Sequence, residues 1–599
     1  MTYLVIICYI LFILSCYNTT AEDVRCTQQE RKVLLELKNN IVVDRCGLLA
    51  SWGNQEDNKD CCKWKGVHCT SYINSSVIIK IDLHGFDASS PYPCLEGEPI
   101  PNSIGSLGKL RYLDLSHAGF GGGIPCQLRH LSKLETLFIS SNSFEGKLPN
   151  LSHPIFDHWR PLEVDLSFNS FEGTIPSFLG NVSSLKLNNN KFSNPIPLLC
   201  PKSKIVLLDL DLSNNLSSGE LPDDCWENMD ELSYLNLESN QFSGKLPQSI
   251  GAIKQLQSFR LCDNTFSGVL PISLWNCSSL VILDIGDNQF SGIIPPEIGN
   301  LRSLVDLNLR KNRLVGKIPS TLFTLSSLQI LDLSGNRLTG TIPKSIYNLT
   351  GMSNKTIFLP NSTIISSHKS FTKYPHYAAW VKWKRVQQKF GNLLGLVKSF
   401  DVSNNNLQGE IPSEISYLGG LVSLDLSRNK FSGTITSNIG QLTSLEFLDL
   451  SNNRFCGEIP MSFVNLSYLG ILDLSNNNLS GRIPLGTQLR GFDASYYMGN
   501  PGLCGEPLPK TCPGDEAFNK SRDGEDIELT RQDKDDEEGV FSLGLYISVV
   551  LGFIFGFWGV YGTLVLKTSW RQAYFRCVDS IKDRFYVIIA VNLARVSKA

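Results

Sequence analysis

An asparagine that returns every 24 residues limits the fold of this chain more than any other feature. It stands at Asn240, Asn264, Asn288, Asn312 and Asn336, then at Asn405, Asn429, Asn453 and Asn477, with a step of 24 inside each run. Self-similarity at a fixed period of a few tens of residues marks stacked-repeat architectures. Around each asparagine the pattern reads L-x-x-L-x-L-x-x-N-x-L-x-G-x-I-P, as in the stretch from Leu328 to Pro343. The alternation at Leu331 and Leu333 suits a short strand. Gly340 and Pro343 punctuate the bend that follows. An asparagine set among leucines must pair its amide, so it is expected to bond backbone groups of neighbouring turns. One turn cannot bury its own leucines, whereas about 15 stacked turns, from Ile78 to Pro484, enclose a continuous core with the strands on the concave face. Asn142, Asn169, Asn190 and Asn215 step by 27, 21 and 25, so the early turns are less regular.

Both ends of such a coil expose core and need caps. Residues 22–76 supply the first, with an amphipathic stretch from Gln28 to Lys38, then Trp52 and a cluster from Cys61 to Cys69. Residues 496–514 supply the second, where Gly499-Asn500-Pro501-Gly502-Leu503-Cys504 leads to Cys512. The spacings pair Cys62 with Cys69 and Cys504 with Cys512, and leave Cys61 to either Cys26 or Cys46. Cys200 and Cys225 lie one turn apart, close enough to staple neighbouring turns.

Two apolar runs set the topology. Residues 1–21 read as a secretory signal peptide. The stretch Val540–Leu566 has no charged residue, and about 20 such residues cross a hydrocarbon core, so a transmembrane helix is expected at 542–566. On one side, Asp515 to Glu538 holds eleven acidic and four basic residues; on the other, Lys567 to Ala599 holds seven basic and two acidic. An excess of basic residues marks the cytoplasmic side, which makes 515–541 an extracellular acidic juxtamembrane stretch and 567–599 an inner tail. The expected location is the plasma membrane, single-pass, with the repeats outside. Fourteen of the 17 cysteines fall in the outer part, where disulfides persist. N-glycosylation sequons fall there too, at Asn74, Asn150, Asn181, Asn215, Asn276, Asn348, Asn354, Asn361, Asn465, Asn478 and Asn519.

The N-x-L-x-G-x-I-P repeat, the CCKWKGVHC cluster, the interruption of the array and the ending from Asp473 to Glu516 resemble the leucine-rich-repeat receptor-like proteins of plants, within them the ethylene-inducing xylanase receptor type. The resemblance implies an α/β leucine-rich-repeat solenoid with Cys-stapled caps and one transmembrane helix, acting as a cell-surface immune receptor that borrows partner receptor kinases. Members of that family typically carry more repeats than this chain.

Several features are candidates for function. Asn336 and Asn405 are 69 residues apart, one repeat plus an insertion, assigned to 344–395 between repeats 77–343 and four repeats at 396–495, where the family carries its island domain. From Lys344 to Lys398 there are eight lysines, one arginine and no acid, with aromatic residues interleaved. Trp380, Trp383, Lys384 and Arg385 are therefore candidates to grip an acidic protein, peptide or glycan ligand. On the concave face, Tyr234, Glu238, Arg260, Asp287, Arg310 and Lys311 flank the strand leucines as exposed positions suited to protein recognition. After the insertion, Arg428 is implied by the resemblance to face a co-receptor kinase. Gly544, Ser548, Gly552 and Gly556 recur every fourth residue of the apolar span, a seam where another helix can approach closely; the resemblance assigns it to an adaptor kinase. Tyr586 and Ile589 fit a Tyr-x-x-apolar endocytosis signal.

No phosphate-cradling loop, paired Cys-x-x-Cys site or His-Glu-x-x-His appears in the sequence, and the tail is shorter than a domain of about 50 residues. An enzyme, a cofactor, a metal and nucleic-acid binding are all unexpected. Two other functions fit the same architecture: a developmental co-receptor for an endogenous peptide, and a non-signalling decoy or inhibitor of microbial wall-degrading enzymes.

Overall fold

The computed structural model describes residues 26–53, 60–72, 75–85, 94–149, 163–353, 379–383, 386–390 and 397–513. The chain divides into two units, Met1–Asp515 and Glu516–Ala599. The expected signal peptide, juxtamembrane stretch, span and tail lie outside the described residues, among which no helix is long and apolar enough to cross a membrane.

Each turn follows from its motif. In the turn that begins at Leu328, Ile330–Asp332 forms a three-residue strand. Leu331 and Leu333 point inward and are fully buried, each such burial stabilising the coil by about 1.5–3 kcal/mol. The chain then bends, forms a second strand at Arg337–Gly340 and, after Pro343, a 3-10 helical turn at Lys344–Asn348. Stacking of the first strands builds a 16-stranded sheet. Its first pair, Val67–Tyr72 with Ser75–Asp82, is antiparallel, and the strands after it pair in parallel. The second strands form a flanking sheet, nine-stranded from Ser267–Val269 to Gly502–Cys504. Between the two sheets the phenylalanines that follow the asparagine stack from turn to turn, Phe242 on Phe266 at 5.9 Å and Phe266 on Phe290 at 6.1 Å.

The expected asparagine ladder is present. The Asn312 amide nitrogen donates to the carbonyls of Ile285, Leu309 and Arg310 at 3.0, 3.1 and 3.1 Å, and its oxygen accepts from Phe290 N at 2.9 Å. One side chain thus closes four backbone groups that straddle two turns. The ladder runs straight across the insertion: Asn405 donates to Leu333 O at 2.9 Å and accepts from Leu338 N at 2.9 Å. The strands Ile330–Asp332 and Ser399–Asp401 pair directly. The interrupted repeat extends further than the 343/344 boundary read from the sequence. Lys344–Asn348 forms the same 3-10 turn as its neighbours, and Leu349 and Met352 are buried in the core, so the coil continues to Ser353. The insertion's described part is an antiparallel hairpin, Ala379–Trp383 with Val386–Phe390.

The caps explain their sequences. The Gln28–Asn39 helix opens with a reciprocal capping box between Thr27 and Glu30. Glu30 also accepts from Ile78 N at 3.0 Å, fastening the helix to the first repeat strand. Trp52 stacks on Trp64 at 5.3 Å and donates its indole N–H to Lys65 O. Disulfides join Cys62–Cys69, Cys200–Cys225 and Cys504–Cys512 as expected. Cys61 takes Cys26, and Cys46 reaches Cys94, outside the cysteine cluster. At the other end, Asn500 of the cap is a further rung, donating to Leu474 O and accepting from Leu479 N.

Replacing Asn312 by Ala strands two buried carbonyls and a buried N–H at about 1–3 kcal/mol each, so a loss of at least about 3 kcal/mol is expected. Hydrogen exchange should show the amides of Phe290 and its neighbouring turns opening first; unchanged protection there would mean that the ladder is not what holds the register.

Candidate functional site

The concave face is shaped by one backbone feature. The residue before each ladder asparagine adopts a left-handed conformation, with φ of 48° at Asp287, 47° at Lys311 and 55° at Arg428, a region non-glycine residues seldom enter. The following asparagine, tied on both sides, holds it there. Two of the expected ligand-binding residues, Asp287 and Lys311, and the expected co-receptor residue Arg428 therefore project from equivalent, fixed places at the rim of the sheet. In Lys311 and Arg428 the charged group is exposed; Asp287 is half-buried.

Asp287 organises its neighbours. Arg310 Nε donates to its Oδ2 at 2.7 Å and Lys311 Nζ to its Oδ1 at 2.8 Å, across one repeat. Burial disfavours the Arg310 charge, yet Asp287 and Asp332 outweigh that and hold its pKa above the ordinary value. Arg310 and Lys311 border a cavity of about 560 Å³ on the concave sheet, lined also by Asp332, Ser334, Arg428, Asp449 and Asp473. Arg428, expected to serve a separate partner, thus shares one groove with Arg310 and Lys311. The aspartates of the groove were not singled out from the sequence, where the Asp of L-D-L-S reads as structural. That role is real: Asp473 Oδ1 accepts from Ser475 N at 3.0 Å and Ser475 Oγ at 2.7 Å. Its outer edge nonetheless lines the groove.

Tyr234, Glu238 and Arg260 correct the sequence reading. All three were expected to be exposed and all are buried, Arg260 to 2% exposure. They sit on interior strands, Tyr234 between Asp209 and Ser258 and Arg260 between Asn236 and Asp284 in the ladder. Period-two alternation tells which face a residue takes but not how closely neighbours about 4.8 Å away cover it. Burial opposes the Arg260 charge, while Tyr234, Asp284, Asp306 and Glu238 surround it and keep it ionised. The same burial pushes Asp284 up to about 6 and, with Asp284 as a like-charged neighbour, Asp306 up to about 8. Asp306 lies between Ile282 and Ile330 in register, and its Oδ1 finds no donor among the described residues. Burial and Asp425 likewise push Asp449 up to about 6.

Trp380 and Trp383 lie in the insertion hairpin, whereas Lys384 and Arg385 fall outside the described residues, as do the Gly544, Ser548, Gly552 and Gly556 seam and the Tyr586 and Ile589 pair. Among the sequons, Asn181, Asn276, Asn348 and Asn465 each end a 3-10 turn on the convex side, and Asn478 opens a strand of the flanking sheet. Asn215 is different: it is a buried ladder rung donating to Leu187, Leu212 and Ser213 carbonyls, so a glycan there excludes the native ladder. Asn74, Asn150, Asn354, Asn361 and Asn519 lie outside the described residues. Asp82, His84 and Asp114 bring ligand atoms within 4.8 Å of one another. Lys80 already pairs with Asp82 at 3.0 Å, and Tyr112 and Ser116 donate to Asp114, so the cluster carries its own cation and donors.

Known proteins share this architecture. Residues 27–70 match the leucine rich repeat N-terminal domain. Leucine rich repeat models match 254–314 and seven further stretches, 109–131, 231–253, 327–349, 396–418, 420–442, 444–466 and 468–488. The receptor-like protein EIX2 of Solanum lycopersicum is 55% identical over 221 residues, and receptor-like protein EIX1 of the same plant is 55% identical over 226. Each match covers 36% of this chain and 21% of the relative, so the chain matches about a fifth of the length of these relatives. The ectodomain of the Arabidopsis thaliana membrane receptor kinase GASSHO1/SCHENGEN3, solved in complex with Casparian strip integrity factor 2, superposes with a TM-score of 0.50 at 28% identity, over 69% of this chain and 50% of that one. A TDR receptor gives a TM-score of 0.51 at 27% identity, over 65% and 63%.

Because folding raises the proton affinity of Asp306, the folded chain keeps a proton that the unfolded chain releases above about pH 4. Its contribution is complete in acid and disappears as pH climbs through about 8, a slope of up to about 1.4 kcal/mol per pH unit. The melting temperature should fall between pH 5 and pH 8 (about 1.4 kcal/mol per unit at most), and Asp306→Asn should flatten that fall. Parallel pH profiles for the two proteins would show that the carboxyl is not the linked group.

Proposed function

Since the chain is a leucine-rich-repeat protein similar to plant receptor-like proteins, we propose that it is a cell-surface receptor of plant innate immunity that binds an extracellular elicitor on its concave groove. The observation that carries this reading is the groove itself: Arg310, Lys311 and Arg428 held at fixed places above a row of aspartates, in a cavity of about 560 Å³. A mixed-charge, pre-organised concave surface suits recognition of a protein or peptide, because little ordering entropy is lost on binding. The likeness to EIX2 and EIX1 over the same repeat type supports the receptor assignment.

In this reading the chain is not an enzyme. It sits in the plasma membrane as a type I protein with its basic tail inside, and signals by borrowing receptor kinases. The 542–566 helix pairs with an adaptor kinase along Gly544, Ser548, Gly552 and Gly556, where small residues let two helices approach closely. The repeats after the insertion meet a co-receptor kinase, and the hairpin carrying Trp380 and Trp383 adds to the ligand surface.

Two variants separate ligand binding from signalling. Lys311→Glu combined with Arg428→Glu should weaken binding of a fungal xylanase elicitor by about tenfold or more, the worth of roughly one charged contact, without lowering the melting temperature. Gly552→Leu combined with Gly556→Leu should leave that binding intact and abolish kinase association and the oxidative response. If xylanase binds the double charge variant as tightly as the native chain, the groove is not its site. If a chimera of this ectodomain with a functional kinase stays silent although xylanase is bound, the decoy function replaces the receptor one; a response to endogenous peptide alone points to development.

A further inference from the structure

The flanking sheet carries a surface that the concave groove does not use. In each repeat the residue after the motif glycine lies across the glycine of the next repeat. A methyl built on Gly292 would come within 2.9 Å of Val269 Cγ1, and one built on Gly316 within 2.9 Å of Ile293 Cγ2. Those glycines hold φ of 84° and 83°, so backbone and neighbour together reserve the space. Along this row the residues run Glu220, Lys245, Val269, Ile293, Lys317, Thr341, Glu410. Polar residues occupy the row except at its centre, where Val269 and Ile293 are 62% and 59% exposed. Val315, register partner of Ile293, is 40% exposed, and Ile272, just beyond Val269, is 66% exposed. Four aliphatic side chains therefore face water within three successive repeats.

A ring of cations surrounds them. Lys245 and Lys317 stand in the same row on either side, and Arg313 and Arg337 open the two strands that follow. All four are exposed. The strands from Gln241 to Gly340 contribute no Asp or Glu to this face; the nearest carboxylates of the row are Glu220 and Glu410, and Glu297 stands on the 3-10 turn that follows Ile293. Scattered apolar residues on a surface need no explanation, but a contiguous patch with a rim of one charge does. The sequon Asn276 ends the turn that Ile272 opens, whereas the strands that carry Val269, Ile293 and Val315 hold no sequon.

We infer that this flank docks a partner protein through an acidic segment bearing aliphatic side chains, its carboxylates meeting Lys245, Arg313, Lys317 and Arg337 while its aliphatic groups cover Val269, Ile293 and Val315. The aliphatic centre is fixed by the glycine contacts before binding, so closing it costs little entropy. The cation ring sets orientation and speeds encounter. Spacing of about 4.8 Å between repeats favours an extended segment laid across the strands.

The test uses the full-length protein in detergent micelles and a fluorescent peptide of alternating glutamate and valine, with anisotropy as the readout. Saturable binding is expected, weakened by about tenfold in Arg313→Glu with Arg337→Glu and in Val269→Ser with Ile293→Ser, since both charge and apolar cover contribute. Lys430→Glu with Arg454→Glu, farther along the same sheet, should leave it unchanged. All these positions are exposed, so an unaltered melting temperature serves as the folding control. Equal binding of a lysine–valine peptide, or equal weakening by the distant pair, would overturn the inference. So would sedimentation showing that the native protein self-associates and that Val269→Ser with Ile293→Ser makes it monomeric, because the occupant would then be a second copy. The concave variant Lys311→Glu with Arg428→Glu should not affect this peptide, which keeps the two surfaces distinguishable.

Discussion

The asparagine amide is the one interaction without which the rest of this molecule has no register. Leucine burial drives the coil together but is indifferent to direction, and a slip of one residue would turn every strand inside out. Asn312 prevents it, because its nitrogen must meet carbonyls of two turns while its oxygen meets the N–H of Phe290. The left-handed residue before it and the glycine five positions after Lys311, Gly316 with φ of 83°, then recur at fixed places. Both candidate surfaces inherit their order from that recurrence: the concave rim takes Asp287, Lys311 and Arg428 from the left-handed position, and the flank takes Val269 and Ile293 from the residue after the glycine.

The insertion shows how local this constraint is. An added loop costs entropy only as the logarithm of its length, so a long excursion is tolerated wherever the flanking turns still meet. Here they meet through the same bonds as any other pair, Asn405 to Leu333 and Leu338 to Asn405. The coil completes its 3-10 turn at Lys344–Asn348 before the chain departs. A departure from that side leaves the strand face unbroken, which is why a groove can run from Arg310 on one side of the insertion to Asp473 on the other.

Much of the fold was legible because it depends on periodicity. The ladder, the inward leucines of L-x-L, the paired sheets' common turn and the pairs Cys62–Cys69, Cys200–Cys225 and Cys504–Cys512 follow from spacing alone. What was not legible depends on contacts between turns. Cys46 reaches Cys94 because the cap folds back on the first repeats. Asn500 reads as part of a turn-forming cap sequence, yet it closes the ladder. Asn215 satisfies a glycosylation sequon in one dimension and a buried rung in three. Tyr234, Glu238 and Arg260 were assigned to the right face but the wrong environment, since coverage depends on the size of the side chains in adjacent strands. The concave aspartates recur with the motif, and their place in lining the groove needed the groove to be seen.

The buried charges of the concave face show why that environment matters. Where the motif is complete, each aspartate is satisfied within its own turn, as Asp425 is by Ser427 N and Oγ at 3.1 and 2.6 Å. Between Arg260 and Asn308 the motif breaks. Asp284 accepts from Gly286 N at 3.2 Å, and Asp306 stands between isoleucines with one oxygen lacking a donor among the described residues. Arg260 replaces the motif acid in the turn before, and its positive charge lowers the proton affinity that burial raises at both carboxyls. A buried charge that loses its partner costs several kcal/mol, so Arg260 is the member of this group whose surroundings must stay in place. The groove begins at Arg310, in the same turn as Asp306, and runs on to Asp473. The lining aspartates Asp332, Asp449 and Asp473 stand at the regular motif position, so the irregular group borders the groove at one end while the periodic turns form its floor.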